Sequence, residues 1–284
     1  LRWLFHDNGM EPVIWVHSTQ TAYIPMLAFV DCFLEGEDRY LRPHSPKNFI
    51  TCWGIQRIRF ANGEKWGIPT NWLNVIGMRM KGPAEWFWRQ RRAYAAALVL
   101  CDIQDVSTGQ GSAPHFKEAG CYDDHAQFEG FWDPACPLKA VSEDCYASVY
   151  KLPEHIAVIL VNAGKEAKVA EFTVDADTVR RHLKSDKFVF VNADDSKPPA
   201  DPDALVEKQK EQMARPIQDI GRHEEDTQLI TQLKEQAANE RKLEGDEGTE
   251  AFTDLNFAFN EGKLRLRIRS CDYRLLIIRK PDKE

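Results

Sequence analysis

Residues 11–38 read EPVIWVHSTQTAYIPMLAFVDCFLEGED. The stretch holds two apolar runs of strand length. Each ends abruptly in groups that can do chemistry: His17-Ser18 after the first, Glu35-Gly36-Glu37-Asp38 after the second. Short apolar runs bounded by polar turns are the pattern of buried parallel strands. Ionisable groups just past the carboxyl ends of such strands occupy the position where α/β barrels build their active sites. Acids close to tryptophans point to carbohydrate before nucleotide or lipid. The same pattern also fits two core strands followed by solvated loop acids, and by itself it leaves both open.

Working outward, strand-like and helix-like patterns alternate through the first part of the chain. Val13–Val16 and Met26–Leu34 read as strands. Residues 46–60 read as a helix, with Phe49, Cys52, Trp53, Gln56 and Phe60 roughly on one face. Pro83–Ala97 reads as a helix that opens on the permitted proline position, and Leu98–Ile103 as a further strand. Alternation of this kind predicts a parallel sheet. A closed eight-fold barrel needs about 250 residues, so these units predict only its C-terminal half, over residues 1–125.

The pattern then changes. Tyr146–Lys151, Ile156–Asn162, Lys168–Val174 and Phe188–Val191 read as short strands. Leu264–Ile268 and Tyr273–Arg279 read as a closing hairpin, with leucine and isoleucine alternating against arginine in LRLRIR. Spacing of this kind predicts an antiparallel β-sandwich over residues 126–284. Residues 201–247 carry no aromatic side chain and dense charge. They read as a helical hairpin inserted between sandwich strands, with a solvated face.

At 284 residues, with 43% hydrophobic and 29% charged, the composition is that of an ordinary globular protein. A net charge of −7 argues against nucleic-acid and anionic-membrane partners. The chain opens on LRWLFHDNG, which reads as the last turns of a helix stopped at Asn8-Gly9. It therefore reads as the C-terminal fragment of a longer protein, lacking the N-terminal half of its barrel. The seven cysteines include no CxxC pair, which argues against structural zinc, and Cys121, Cys136 and Cys145 are close enough in sequence for one disulfide. Asp123, Asp124 and His125 could bind a metal but read as loop residues, so no metal site is expected. No cofactor motif is present either: there is no glycine-rich phosphate loop, GxSxG or HExxH.

The candidate site is built from strand ends. Trp15 and His17 share one side of the first strand, opposite Ile14 and Val16. Asp31, Phe33 and Glu35 share a side of the second. An aspartate in mid-strand is costly to bury unless paired or working. Glycoside hydrolysis uses two carboxyl groups, one as acid and one as nucleophile or base. Glu35, Glu37, Asp31 and Asp102 are the candidate carboxyls. His17, Trp15, Asn71 and Trp72 are the candidate substrate contacts, the tryptophans as stacking platforms.

VHST at the first strand end, AFVDCFLEGE at the second, and the later RRAYAAALVLCDIQD resemble the C-terminal half of a TIM-barrel glycoside hydrolase, specifically the family 123-like group of predicted glycoside hydrolases. FEGFWDP, VILVNAG and YRLLIIRK look like the β-sandwich that follows such barrels. The resemblance implies a carbohydrate substrate, a pocket lined by His17, Glu35 and Glu37, and a secreted or periplasmic location. The adjacent Asp-Glu pair that family 123 enzymes use does not end a strand here. The alternative expectation is a non-catalytic carbohydrate-binding or scaffold protein with the same fold.

Overall fold

The computed structural model describes residues 2–17, 29–35, 50, 54–60, 70–72, 84–105, 114–194 and 257–282. Glu37 and the charged insert at 201–247 lie outside the described residues.

Four short strands form a parallel sheet: β1 Trp15–His17, β2 Cys32–Glu35, β3 Thr70–Trp72 and β4 Gln104–Asp105, in the order β1-β2-β3-β4. Two short helices, α1 Arg2–His6 and α2 Ile55–Ile58, accompany it. The long helix α3 spans Ala84–Leu100. Its second half, RRAYAAALVL, is rich in alanine and leucine, the strongest helix formers. Helix α4, Pro114–Glu118, follows.

Most strand residues lie further on, in two antiparallel sheets. The strands are β5 Gln127–Glu129, β6 Leu138–Ala140, β7 Cys145–Lys151, β8 His155–Asn162, β9 Lys168–Val174, β10 Val189–Asn192, β11 Phe257–Asn260, β12 Lys263–Ile268 and β13 Asp272–Arg279. One sheet runs β10-β13-β8-β7-β5 and the other β11-β12-β9-β6. Helix α5, Ala176–Leu183, sits between β9 and β10 in sequence.

Period two explains how these sheets are buried. On β8, Ile156, Val158 and Leu160 face the second sheet, where they meet Phe172, Leu264 and Leu266. The alternate residues Ala157, Ile159 and Val161 face the other way, into a core with Tyr94 and Leu98 of α3. The five-stranded sheet is thus covered on both faces, which is why β8 reads as an unbroken apolar run. β12 is covered on one face only: Leu264, Leu266 and Ile268 are buried, whereas Lys263 and Arg265 are exposed. Glu261-Gly262, both at positive φ (51° and 73°), form the two-residue turn that pairs β11 with β12.

These observations overturn the barrel expectation. Among the described residues the parallel sheet is open, its strands are two to four residues long, and the two antiparallel sheets dominate. The structure is an open arrangement of antiparallel sheets and helices, not half of a TIM-type barrel, and the likeness to family 123-like glycoside hydrolases falls with it. The misreading has a physical source. A short apolar run looks the same whether it is a parallel strand, a strand covered on both faces, or a buried helical turn. Leu98–Ile103 is the clearest case. Its first three residues are the last turn of α3, and only Gln104–Asp105 pairs with β3.

Candidate functional site

The helix α3 is held to the five-stranded sheet by polar groups that are almost fully buried. Arg92 is the centre. Its Nε donates to Asp272 Oδ1 at 2.7 Å, and its two Nη atoms donate to the two Asp194 carboxylate oxygens at 3.0 and 2.8 Å. Nη2 also donates to the Tyr273 carbonyl at 2.8 Å. The guanidinium lies 3.9 Å from the centroid of the Tyr273 ring. Asp194 follows β10, and Asp272 and Tyr273 begin β13, so two neighbouring strands aim their groups at one turn of the helix. Such a planar fork suits arginine and not lysine.

A second layer surrounds the first. The Tyr273 hydroxyl and His115 Nε2, on α4, share a 2.6 Å hydrogen bond, and the two rings stack 5.9 Å apart. The backbone N–H of Tyr273 donates to Asp272 Oδ1 at 2.8 Å. Arg92, Asp194, Asp272, Tyr273 and His115 are all buried. Burial by itself would lower the basicity of the guanidinium. The charges of Asp272, Tyr273 and Asp194 outweigh that and hold it well above the ordinary arginine value. Arg92 is therefore a permanent buried cation.

The carboxyl end of α3 is tied down separately. Helix ends leave carbonyls without partners. Here the Tyr150 hydroxyl donates to the Val99 carbonyl and the Ser148 hydroxyl to the Leu100 carbonyl, each at 2.8 Å. Both side chains come from β7. The Leu98 carbonyl accepts from Ile103 N at 2.9 Å, and Asp102 N points at the Val99 carbonyl at 3.5 Å. With Asp102 at φ 53°, this is a Schellman stop, and Leu98 and Ile103 supply its buried apolar contact.

The residues expected from sequence fall as follows. Asp102 is the left-handed residue that ends α3, not the terminus of a strand. Asp31 precedes β2, and its Oδ2 accepts from Ile14 N at 2.7 Å, fastening β1 to β2. Trp15 and His17 are exposed on β1, and Trp72 is buried on β3 against Tyr94, with ring centroids 6.2 Å apart. Glu35 closes β2 in register with Trp72, while His17 is in register with Leu34. The His17 and Glu35 positions thus have opposite parity and fall on opposite faces of the pleat. Asn71 lies in the middle of β3, in register with Leu34. Among the described residues no group of three or more His, Cys, Asp or Glu could hold a metal ion. In the loop 123–125, Asp123 Oδ1 instead accepts from His125 N at 2.8 Å. The described cysteines are free thiols, and all are buried.

The glycoside-hydrolase assignment and its fold-retaining carbohydrate-binding alternative do not survive this geometry. Among the described residues there is no barrel, and the Asp31 carboxylate accepts a backbone N–H. No protein-family model matches the chain, and no curated protein or solved structure shows significant similarity to it.

Sequence reasoning missed the Arg92 node because its partners lie 102 and 180 residues away in the chain. One signal was available. Arg92 directly precedes the uncharged run AYAAALVL, so residues 93–100 of the helix offer it no carboxylate. A long buried cation must find carboxylates somewhere.

Proposed function

We propose that the two antiparallel sheets serve as a rigid platform that grips α3 and so fixes the parallel sheet: a structural-support function. Helix α3 supports this reading because it packs against β13, β8 and β7 of the five-stranded sheet and against β4 of the parallel sheet. The single observation that carries it is Arg92, held at once by Asp194 and Asp272 in a buried, charge-assisted fork. Leaving two carboxylates buried without their cation costs about 3–5 kcal/mol. The intact pair contributes less net stability than that, but it fixes which groups meet.

The test is equilibrium urea unfolding of the wild type and Arg92→Met. Seven of the eight tryptophans precede residue 89, so their fluorescence follows the N-terminal part. Far-UV circular dichroism follows the sheets. The expected outcome is coincident transitions in the wild type and, in Arg92→Met, a fluorescence transition moved to lower urea ahead of the dichroism. An unmoved fluorescence transition would show that the platform does not position the parallel sheet.

A further inference from the structure

Strands β12 and β13 come last in the described chain, yet each is an inner strand of its sheet. β13 lies between β8 and β10, with all eight of its residues in register with His155–Asn162. β12 lies between β9 and β11. Leu264, Leu266, Ile268, Leu275, Leu276 and Ile278 are at most 2% exposed. Polar ties add to this burial. Asn162 Nδ2 donates to the Ile268 and Arg269 carbonyls, each at 3.2 Å, and the Ser270 hydroxyl donates to the Gly164 carbonyl at 3.0 Å. The chain on either side of residues 195–256 is also joined through space. Phe259 packs on Phe188 and Phe190, with ring centroids 5.6 and 5.0 Å apart, and Phe257 lies 6.2 Å from Phe190. These contacts link the chain before 195 to the chain after 256 without a peptide bond.

We propose that residues 257–282 are a separable strand partner of the body formed by residues 114–194, so that a protein cut once within 195–256 persists as a non-covalent two-chain assembly. The interaction surface has two parts. One is the slot between β8 and β10, which β13 fills; the other is the edge of β9, to which β12 adds. The register of those strands fixes the occupant. This is strand complementation, in which main-chain hydrogen bonds give affinity and alternate side chains give specificity. Neither piece closes a core alone. Without β12 and β13, the strands β8, β9 and β10 are left with unpaired edges, and Ile156, Val158 and Leu160 lose Leu264 and Leu266 from their cover. A cut removes only the tether. A tether raises the local concentration of its own segment to about the millimolar range at most, whereas core-like packing of this kind belongs to obligate interfaces. The assembly therefore holds without it.

The test inserts a site for a sequence-specific protease, flanked by glycine and serine, between Gly245 and Asp246 of the full chain. Hydrolysis adds one water across one peptide bond, and a denaturing gel confirms the cut. The expected result is that both pieces elute together in native size exclusion at about 1 µM, with the circular dichroism of the uncut chain. Exchange of the second piece with a fluorescently labelled copy measures the off-rate. Phe190→Ala with Phe259→Ala is expected to leave the uncut chain folded and to speed that exchange about tenfold, since interface changes act mostly on dissociation. Should the double variant not fold, Phe259→Ala alone takes its place. Should the site resist cutting, co-expression of residues 1–245 and 246–284 as two chains decides in the same way. Pieces that separate, or a cut protein that loses its sheet signal, overturn the proposal. So does an exchange rate that the phenylalanine variant leaves unmoved.

Discussion

Arg92 lies on α3 and Asp102 just past its end, one at each side of the uncharged run 93–101. Their roles differ for reasons that only geometry supplies. Arg92 fills a fork between Asp194 and Asp272. Arg92→Lys keeps the cation but loses the two-pronged contact, so it is expected to destabilise by about 1–3 kcal/mol, less than Arg92→Met. The check is the urea midpoint at an unchanged denaturant slope. Asp102 occupies a left-handed position at φ 53°. Asp102→Gly is expected to leave the thermal midpoint nearly unchanged or slightly raised. Asp102→Val is expected to cost about 1–2 kcal/mol, because a β-branched side chain strains that conformation. An equal loss in both variants would mean that the carboxylate, and not the backbone angle, is what the position requires.

Individual elements divide into those whose pattern decides them and those whose pattern does not. β12 was legible because one of its faces is wet: KLRLRI alternates in sequence as it alternates in burial. β7, β8 and β9 were legible from β-branched content and regular turns. The end of α3 was not, because every residue from Leu98 to Cys101 is buried on all sides and carries no period. Helix α5 shows a readable start. The Asp175 carboxylate accepts from Thr178 N at 3.0 Å and from its hydroxyl at 2.6 Å, and Lys184 at φ 50° closes the helix. Asp175→Ala is expected to cost about 1 kcal/mol at neutral pH. The Thr178 hydrogen bonds hold the Asp175 carboxyl below the ordinary carboxylate value. A carboxyl lowered in the folded state stabilises above its unfolded value, near pH 3.9, and the effect is lost as pH falls through the folded value. The difference between wild type and Asp175→Ala, measured by urea unfolding, is therefore expected to be full at about pH 6 and to shrink steadily below about pH 4. A constant difference across that range would remove the cap from the account.

At the scale of the whole molecule, one sheet with two covered faces joins both cores. One core lies between the antiparallel sheets, and the other lies between the five-stranded sheet and α3. The same layering hides the thiols. Burial pushes the Cys136 and Cys145 thiols up to about 11 and those of Cys101 and Cys121 further still. The thiolate is the reactive form. Six of the seven cysteines are described, and all six are buried. In the native protein at most one thiol is expected to react rapidly with a disulfide reagent at about pH 8, and all seven are expected to react in urea. Rapid reaction of two or more in the native state would show that a core opens readily.

The sequence by itself determined the local pattern: the start of α3 after Pro83, the strands β7 to β9, and the alternation of β12. The alternation of β12 matches one backbone period and no other, whereas β7 to β9 follow from short apolar runs bounded by turns. Tertiary structure alone decided that Leu98–Leu100 is helix, that Asp102 ends a helix, that His17 and Glu35 stand on opposite faces, and that Arg92 meets Asp194 and Asp272. An apolar run reports that a segment is covered but not what covers it, and charge pairing depends on distance in space, not distance along the chain. The half-barrel expectation failed at that step, since burial on two faces can be produced by helices around a parallel barrel or by a helix and a second sheet packed on an open antiparallel sheet.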